Sequence, residues 1–143
     1  MHKLAKLRGT RFVATAGALL IGAVLGMGAD RLAFAQQPGI KRTILLTTDS
    51  PANPAYQVVM GLAEIPPGAS AGKHRHYGIE VGYVLEGTVE LEHAGQPTLK
   101  LSAGEAFKNE AGVHNAKNAG KGPVKILAVY IVEKGKPLAE PVP

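Results

Sequence analysis

The chain has 143 residues, with 16 Lys and Arg against 11 Asp and Glu, no Cys and no Trp, and a formal net charge of +5. Residues 1–35 hold five of the basic residues and one of the acidic ones, which leaves 11 against 10 in the rest of the chain. The high isoelectric point therefore belongs mainly to the first segment and gives no reason to expect nucleic acid as a partner. The lack of Cys excludes disulfides, thiolate catalysis and Cys-ligated zinc.

Residues 1–35 have the organisation of a secretory signal peptide. A basic beginning precedes an uncharged, mostly apolar run of 17 residues from Phe12 to Gly28, and Ala33-Phe34-Ala35 forms an A-x-A cleavage motif. We predict cleavage between Ala35 and Gln36, with the mature protein periplasmic or secreted from a bacterial cell and without a stable membrane anchor. The alternative is an uncleaved anchor, for which the apolar run is at the short end.

Residues 36–143 suit a single domain built from short strands. The β-rich segments lie at 41–48, 56–65, 80–85, 88–92, 98–101, around 106–107 and at 123–132, with Gly, Pro and Asn turns between them. No amphipathic helix or internal repeat is evident. This pattern predicts an all-β sandwich or barrel, followed by a proline-bearing tail of unknown use at 133–143.

The residues that carry chemistry are concentrated around 74–80. Alternation along a strand points His74 and His76 to one face, and Glu80, at even spacing, can return to that face after the turn at 77–78. A third imidazole, His114, follows later in the chain. Three imidazoles and one carboxylate are a complete ligand set for a divalent transition metal. A lone His-x-His pair would instead be typical of surface residues, but the additional Glu and His favour a metal site.

These residues belong to a longer motif, Gly68-x5-His74-x-His76-x3-Glu80-x6-Gly87. It resembles the first motif of the cupin superfamily at every defined position. A second motif, from Gly104 to Asn118, resembles that family's second motif with two departures. Glu110 stands where Pro is expected, and the loop before His114 is one residue short. The resemblance covers about residues 56–132.

The resemblance implies a small jelly-roll β-barrel that holds the metal in its interior. Within that family, the chain most resembles small single-domain secreted cupins of the type-2, quercetin dioxygenase-like kind. It implies His74, His76, Glu80 and His114 as metal ligands, with Glu80 doubling as a catalytic base. The ion expected is one of iron, manganese, nickel, copper or zinc, which the ligand set does not distinguish.

Three functions stay open from the sequence. The first is a metal-dependent enzyme, a dioxygenase or isomerase, acting on a small enol- or catechol-like molecule in an apolar chamber. The second is a non-catalytic periplasmic protein that binds a small molecule or a metal, and the third is a metal held only for stability. Apolar strand residues are candidates either for the chamber wall or for ordinary core: Met60, Leu62, Val84, Phe107, Val129 and Ile131.

The strand at 80–85 is apolar on both faces, because Val81, Tyr83 and Leu85 lie opposite Glu80 and Val84. Such a strand needs cover on both sides. We predict that a second subunit covers the outer side in a homodimer, with residues 40–48 as a candidate contact. The alternative is cover by another sheet of the same chain.

Overall fold

The structure is a computed structural model that describes residues 39–143, so the predicted signal peptide lies outside the described residues. The strands are β1 Lys41–Asp49, β2 Tyr56–Ile65, β3 His74–Arg75, β4 Gly78–Glu86, β5 Thr88–His93, β6 Leu99–Ser102, β7 Ala106–Asn109, β8 His114–Lys117, β9 Val124–Glu133 and β10 Glu140–Pro141. No helix occurs within residues 39–143, so none there is long and apolar enough to cross a membrane.

Two antiparallel sheets of five strands each enclose the core. One has the order β1-β2-β9-β4-β7, which we call the outer sheet, and the other has the order β10-β3-β8-β5-β6. Consecutive strands repeatedly cross from one sheet to the other, as in a jelly roll. The prediction of an all-β jelly-roll barrel is confirmed.

Side-chain alternation explains how the outer sheet forms one wall of the core. Along β9, Val124, Ile126, Ala128, Tyr130 and Val132 are buried, and the residues between them are not. On β4, Gly82 faces the ring of Phe107 on the neighbouring β7. A Cβ atom on Gly82 would lie 2.1 Å from Phe107 Cζ, so this ring can cover the strand only because residue 82 has no side chain.

The tail at 133–143 is an integral part of the barrel. Leu138 is fully buried, and β10 pairs with β3 so that Glu140 lies opposite Arg75 and Pro141 opposite His74. The backbone N–H of Val142 also donates to the carbonyl of Lys73 at 3.0 Å. The tail therefore supports the strand that carries His74, which its polar, proline-bearing sequence did not indicate.

The outer face of the outer sheet has no cover from another sheet within residues 39–143. Leu46, Val81, Tyr83, Leu85 and Ile131 are exposed there. The predicted alternative, cover by a sheet of the same chain, is therefore wrong for the described residues. Four residues considered for the chamber wall also point to this face, because their strand positions alternate with the buried ones: Met60, Leu62, Val129 and Ile131.

We expect this outer face to form an interface with a second copy of the chain. Five strands at about 4.8 Å spacing and up to ten residues at about 3.3 Å give a face on the order of 700 Å². That is close to the roughly 800 Å² per partner of a stable interface. A charged side chain at its centre, as in Val81→Glu, should convert the protein to a monomer.

Light-scattering mass at micromolar concentration checks this expectation. Leu99→Glu is a matched control, because Leu99 is 46% exposed against 48% for Val81 but lies in the other sheet. A monomeric wild type would contradict the homodimer, and a control variant that dissociates equally would contradict its placement on this face.

Candidate metal centre

Three imidazoles and one carboxylate meet inside the barrel from both sheets. His74 is on β3 and lies opposite His114 of β8 in the register of the two strands. His76 is in the link after β3, and Glu80 is on β4 of the outer sheet. The turn at 77–78 thus moves the chain from one sheet to the other, and Glu80 faces the histidines across the interior rather than along one strand.

The distances within this group are short. The potential ligand atoms of His74, His76 and His114 lie within 4.8 Å of one another. Glu80 Oε2 is 3.2 Å from His76 Nε2 and 3.4 Å from His114 Nε2. The structure therefore brings together all four residues that the sequence singled out, three of them almost fully buried.

Backbone carbonyls orient all three rings. His74 Nδ1 is 2.7 Å from the carbonyl oxygen of Gly72, His76 Nδ1 is 2.5 Å from that of Leu138, and His114 Nδ1 is 3.1 Å from that of Gly112. Because a carbonyl only accepts, each Nδ1 carries the proton and donates. Each Nε2 is left as the atom available to a ligand, the arrangement seen around metal-binding histidines.

The arrangement fits a cation. His76 Nε2 and His114 Nε2 are buried and have no hydrogen-bond partner in the described structure. Their lone pairs and the negative Glu80 carboxylate occupy the same small space and repel one another. A divalent ion among them would satisfy the two nitrogens and remove that repulsion. Nitrogen and carboxylate donors in this proportion suit transition metals better than calcium or magnesium.

The charge states of the group suit the same ion. Burial lowers the pKa of His74 to about 4, so this ring is neutral at neutral pH and can act as a ligand. Burial alone would raise the pKa of Glu80, but hydrogen bonds from His114 and His76, made when a proton takes the place of the ion on their Nε2 atoms, and from the Asn109 amide outweigh it, and the net direction is well downward. Glu80 is therefore an anion.

A small chamber is lined by three of the four residues, His74, Glu80 and His114. Its volume is about 40 Å³, enough for a few water molecules or a ligand of similar size. Phe107, as the sequence suggested, lines it together with Ile65 and Ile126, so one part of its wall is apolar. Val84 is fully buried in the same core.

Three further polar side chains line this chamber, Arg42, Asn109 and Tyr130. Burial lowers the pKa of Arg42, but a guanidinium stays charged at any physiological pH. Burial, together with the nearby Glu80 carboxylate, raises the pKa of Tyr130 well above its usual value, so its hydroxyl stays protonated. Tyr83 lies on the outer face and does not reach the chamber.

Sequence reasoning missed two neighbours of Glu80. Asn109 on β7 donates its amide to Glu80 Oε2 at 2.7 Å, and His93 on β5 lies 2.7 Å from the other end of that amide. His93 is half-buried and pairs with His114 across β5 and β8. Glu80 and Asn109 are register partners on β4 and β7. Asn109 could therefore have been found only if the pairing of these two strands had been known.

Comparison with known proteins agrees with this architecture. The family model described as a cupin domain matches residues 61–130. An uncharacterised conserved protein with a double-stranded β-helix domain from Klebsiella pneumoniae superposes with a TM-score of 0.59 at 23% identity, covering 73% of this chain and 89% of that one. No curated protein sequence matches the chain.

Two further solved structures share the fold. A cupin superfamily protein from Desulfitobacterium hafniense has a TM-score of 0.55 at 19% identity, over 69% of this chain and 83% of its own. The protein KdgF from Halomonas has a TM-score of 0.53 at 26% identity, over 66% of this chain and 82% of its own. The Klebsiella and Desulfitobacterium structures are 23% and 19% identical to this chain, so their similarity is evidence for the fold alone.

Proposed function

This chain belongs to the cupin superfamily, and we propose that it is a metalloprotein holding one divalent transition metal through His74, His76, His114 and Glu80. The observation that carries the proposal is the pair of buried Nε2 atoms without a partner, both facing the Glu80 carboxylate. Manganese, iron, cobalt, nickel, copper and zinc all accept such a set, and affinity alone favours copper or zinc.

The proposed activity is chemistry on a small oxygenated molecule, such as an enol or a catechol, in the manner of a dioxygenase. Four protein ligands leave positions open on a six-coordinate ion, which supplies Lewis acidity there. Glu80 would take the proton of a substrate hydroxyl, and Arg42, lining the same chamber, would attract the oxyanion that results. Phe107, Ile65 and Ile126 would exclude water from that oxyanion.

The size of the chamber favours a second candidate, a non-catalytic protein that binds a metal or a small ligand. A space of about 40 Å³ does not admit a catechol ring unless the wall opens. A protein that only holds an ion would need no more room than this. The two candidates differ in whether small oxygen donors reach the ion.

We also propose that the protein is exported to the periplasm or the cell exterior, and this part of the proposal rests only on the sequence of residues 1–35. In that compartment the protein would have no disulfide to stabilise it, so packing, the metal and an oligomer would have to serve.

Elemental analysis of the protein purified from its native compartment tests the metal proposal. We expect about one transition metal per chain, and we expect His114→Ala to bind it at least ~100-fold more weakly, because a direct ligand matters more than an outer partner. A wild type that holds no metal and takes up none on titration would sink the proposal.

Oxygen uptake then separates the two candidates. Consumption of oxygen with catechol or an enol, absent in Glu80→Gln, supports the enzyme. A metal-loaded protein whose absorption spectrum ignores these compounds and which consumes no oxygen supports the non-catalytic protein.

A further inference from the structure

A chain of two hydrogen bonds leads from the barrel surface to Glu80. His93 Nε2 lies 2.7 Å from Asn109 Oδ1, and Asn109 Nδ2 lies 2.7 Å from Glu80 Oε2. Asn109 is almost fully buried, whereas His93 is half-buried and borders a surface cavity of about 300 Å³. Neither residue belongs to the group of imidazoles that converges on the candidate ion.

The direction of both bonds follows from the chemistry of the groups. An ionised carboxylate only accepts, so the Asn109 amide must turn its NH₂ toward Glu80 and its oxygen toward His93. That oxygen also accepts, so His93 Nε2 must carry a proton and donate. A carboxamide does not readily take up one proton and release another, so the chain holds its members in place and does not conduct protons.

The hydrogen bond from His93 prevents the Asn109 amide from rotating into the wrong orientation. Without a donor at its outer end, the Asn109 amide can rotate by half a turn and exchange its oxygen and nitrogen. The oxygen would then face Glu80 Oε2, and two acceptors would repel each other in a buried place. With His93 donating, the amide has only one favourable orientation, and Oε2 keeps its bond.

We propose that His93, acting through Asn109, is a positioning residue that fixes the Glu80 carboxylate for metal binding. The inference rests on the metal centre proposed above and adds to it an outer partner supplied by β5 and β7. The same oxygen that Asn109 holds lies nearest to His76 and His114. Rotation of the carboxylate would carry that oxygen away from the two unpartnered nitrogens.

Titration of the metal-free full-length mature protein with Co²⁺ tests this, because the visible absorption of the ion reports its ligands. We expect His93→Leu to bind Co²⁺ about 10–100-fold more weakly, the usual effect of losing an outer partner, and to change the spectrum. His93→Gln, whose amide can still donate to Asn109, should recover most of the affinity and the wild-type spectrum.

Glu92→Leu is the matched control, since it is the adjacent β5 residue and loses a bond from Asn115 that does not lead to Glu80. Its Co²⁺ affinity and spectrum should stay those of the wild type. If His93→Leu does not fold, Asn109→Ser removes both hydrogen bonds of the series. It should weaken Co²⁺ binding and change the spectrum as His93→Leu is expected to do.

The outcomes separate the two proposals. A wild type that binds no Co²⁺ overturns the metal centre itself. A wild type that binds, with His93→Leu or Asn109→Ser binding equally well and giving an unchanged spectrum, overturns the role of His93 alone. Binding by His93→Gln that is as weak as binding by His93→Leu would overturn that role too.

Discussion

Glu80→Gln should lower the metal affinity by more than about 100-fold while leaving the metal-free protein folded and nearly as stable. The substitution removes the one anionic ligand, and this loss should exceed the 10–100-fold that an outer partner contributes. The shape of the side chain is unchanged, and the Gln carbonyl can still accept the Asn109 amide, so the packing survives.

The measurement is a competition titration with a chromophoric chelator, beside thermal unfolding of the metal-free forms. Glu92→Gln is the matched control, because Glu92 also accepts an asparagine amide, from Asn115 at 2.9 Å, but faces no imidazole nitrogen. Equal affinity of Glu80→Gln and the wild type would remove Glu80 from the ligand set and leave a three-histidine site.

Ending the chain at Pro137 should be the most damaging change outside the four site residues. It removes Leu138, whose side chain is fully buried, and truncating a buried Leu even to Ala costs about 2–5 kcal/mol of unfolding free energy. It also removes the carbonyl that accepts from His76 Nδ1, so the metal affinity should fall by about 10–100-fold as well.

Two substitutions separate these effects. Leu138→Ala keeps the backbone carbonyl, so we expect it to lower stability more than metal affinity. Arg75→Ala removes the exposed ion pair with Glu140 on β10 and should change both quantities little. Chemical denaturation and metal titration of the three variants measure both quantities. A truncated protein that binds metal as tightly as the full chain would show that the tail does not position His76.

Much of the fold and the centre of the site can be predicted from the sequence for simple reasons. Period-two alternation and turn residues locate strands such as β2 and β5 to within one residue. The spacing of His74, His76 and Glu80 places chemistry near a turn. The loop that is one residue short before His114 does no harm, because the register still sets His114 opposite His74.

What could not be predicted depends on which strands become neighbours. Asn109 reaches Glu80 because β7 pairs with β4, and His93 reaches Asn109 because β5 stands opposite in the second sheet. Neither pairing follows from local pattern. The choice of inward face failed for Met60 and Leu62 because apolar residues occupy both faces of β2, and periodicity cannot distinguish two apolar faces.

The carbonyls of Gly72, Leu138 and Gly112 also bear on how quickly a cation is captured. A free imidazole can present either ring nitrogen after a half-turn about χ2, and choosing one orientation costs roughly 0.4 kcal/mol per ring. In this barrel the rings are already turned by their bonds to the three carbonyls. The loss of rotational freedom therefore accompanies folding and not binding. Capture should then be limited by how fast the ion sheds its own water, so an ion that dehydrates reluctantly should be captured slowly even where the site would hold it tightly.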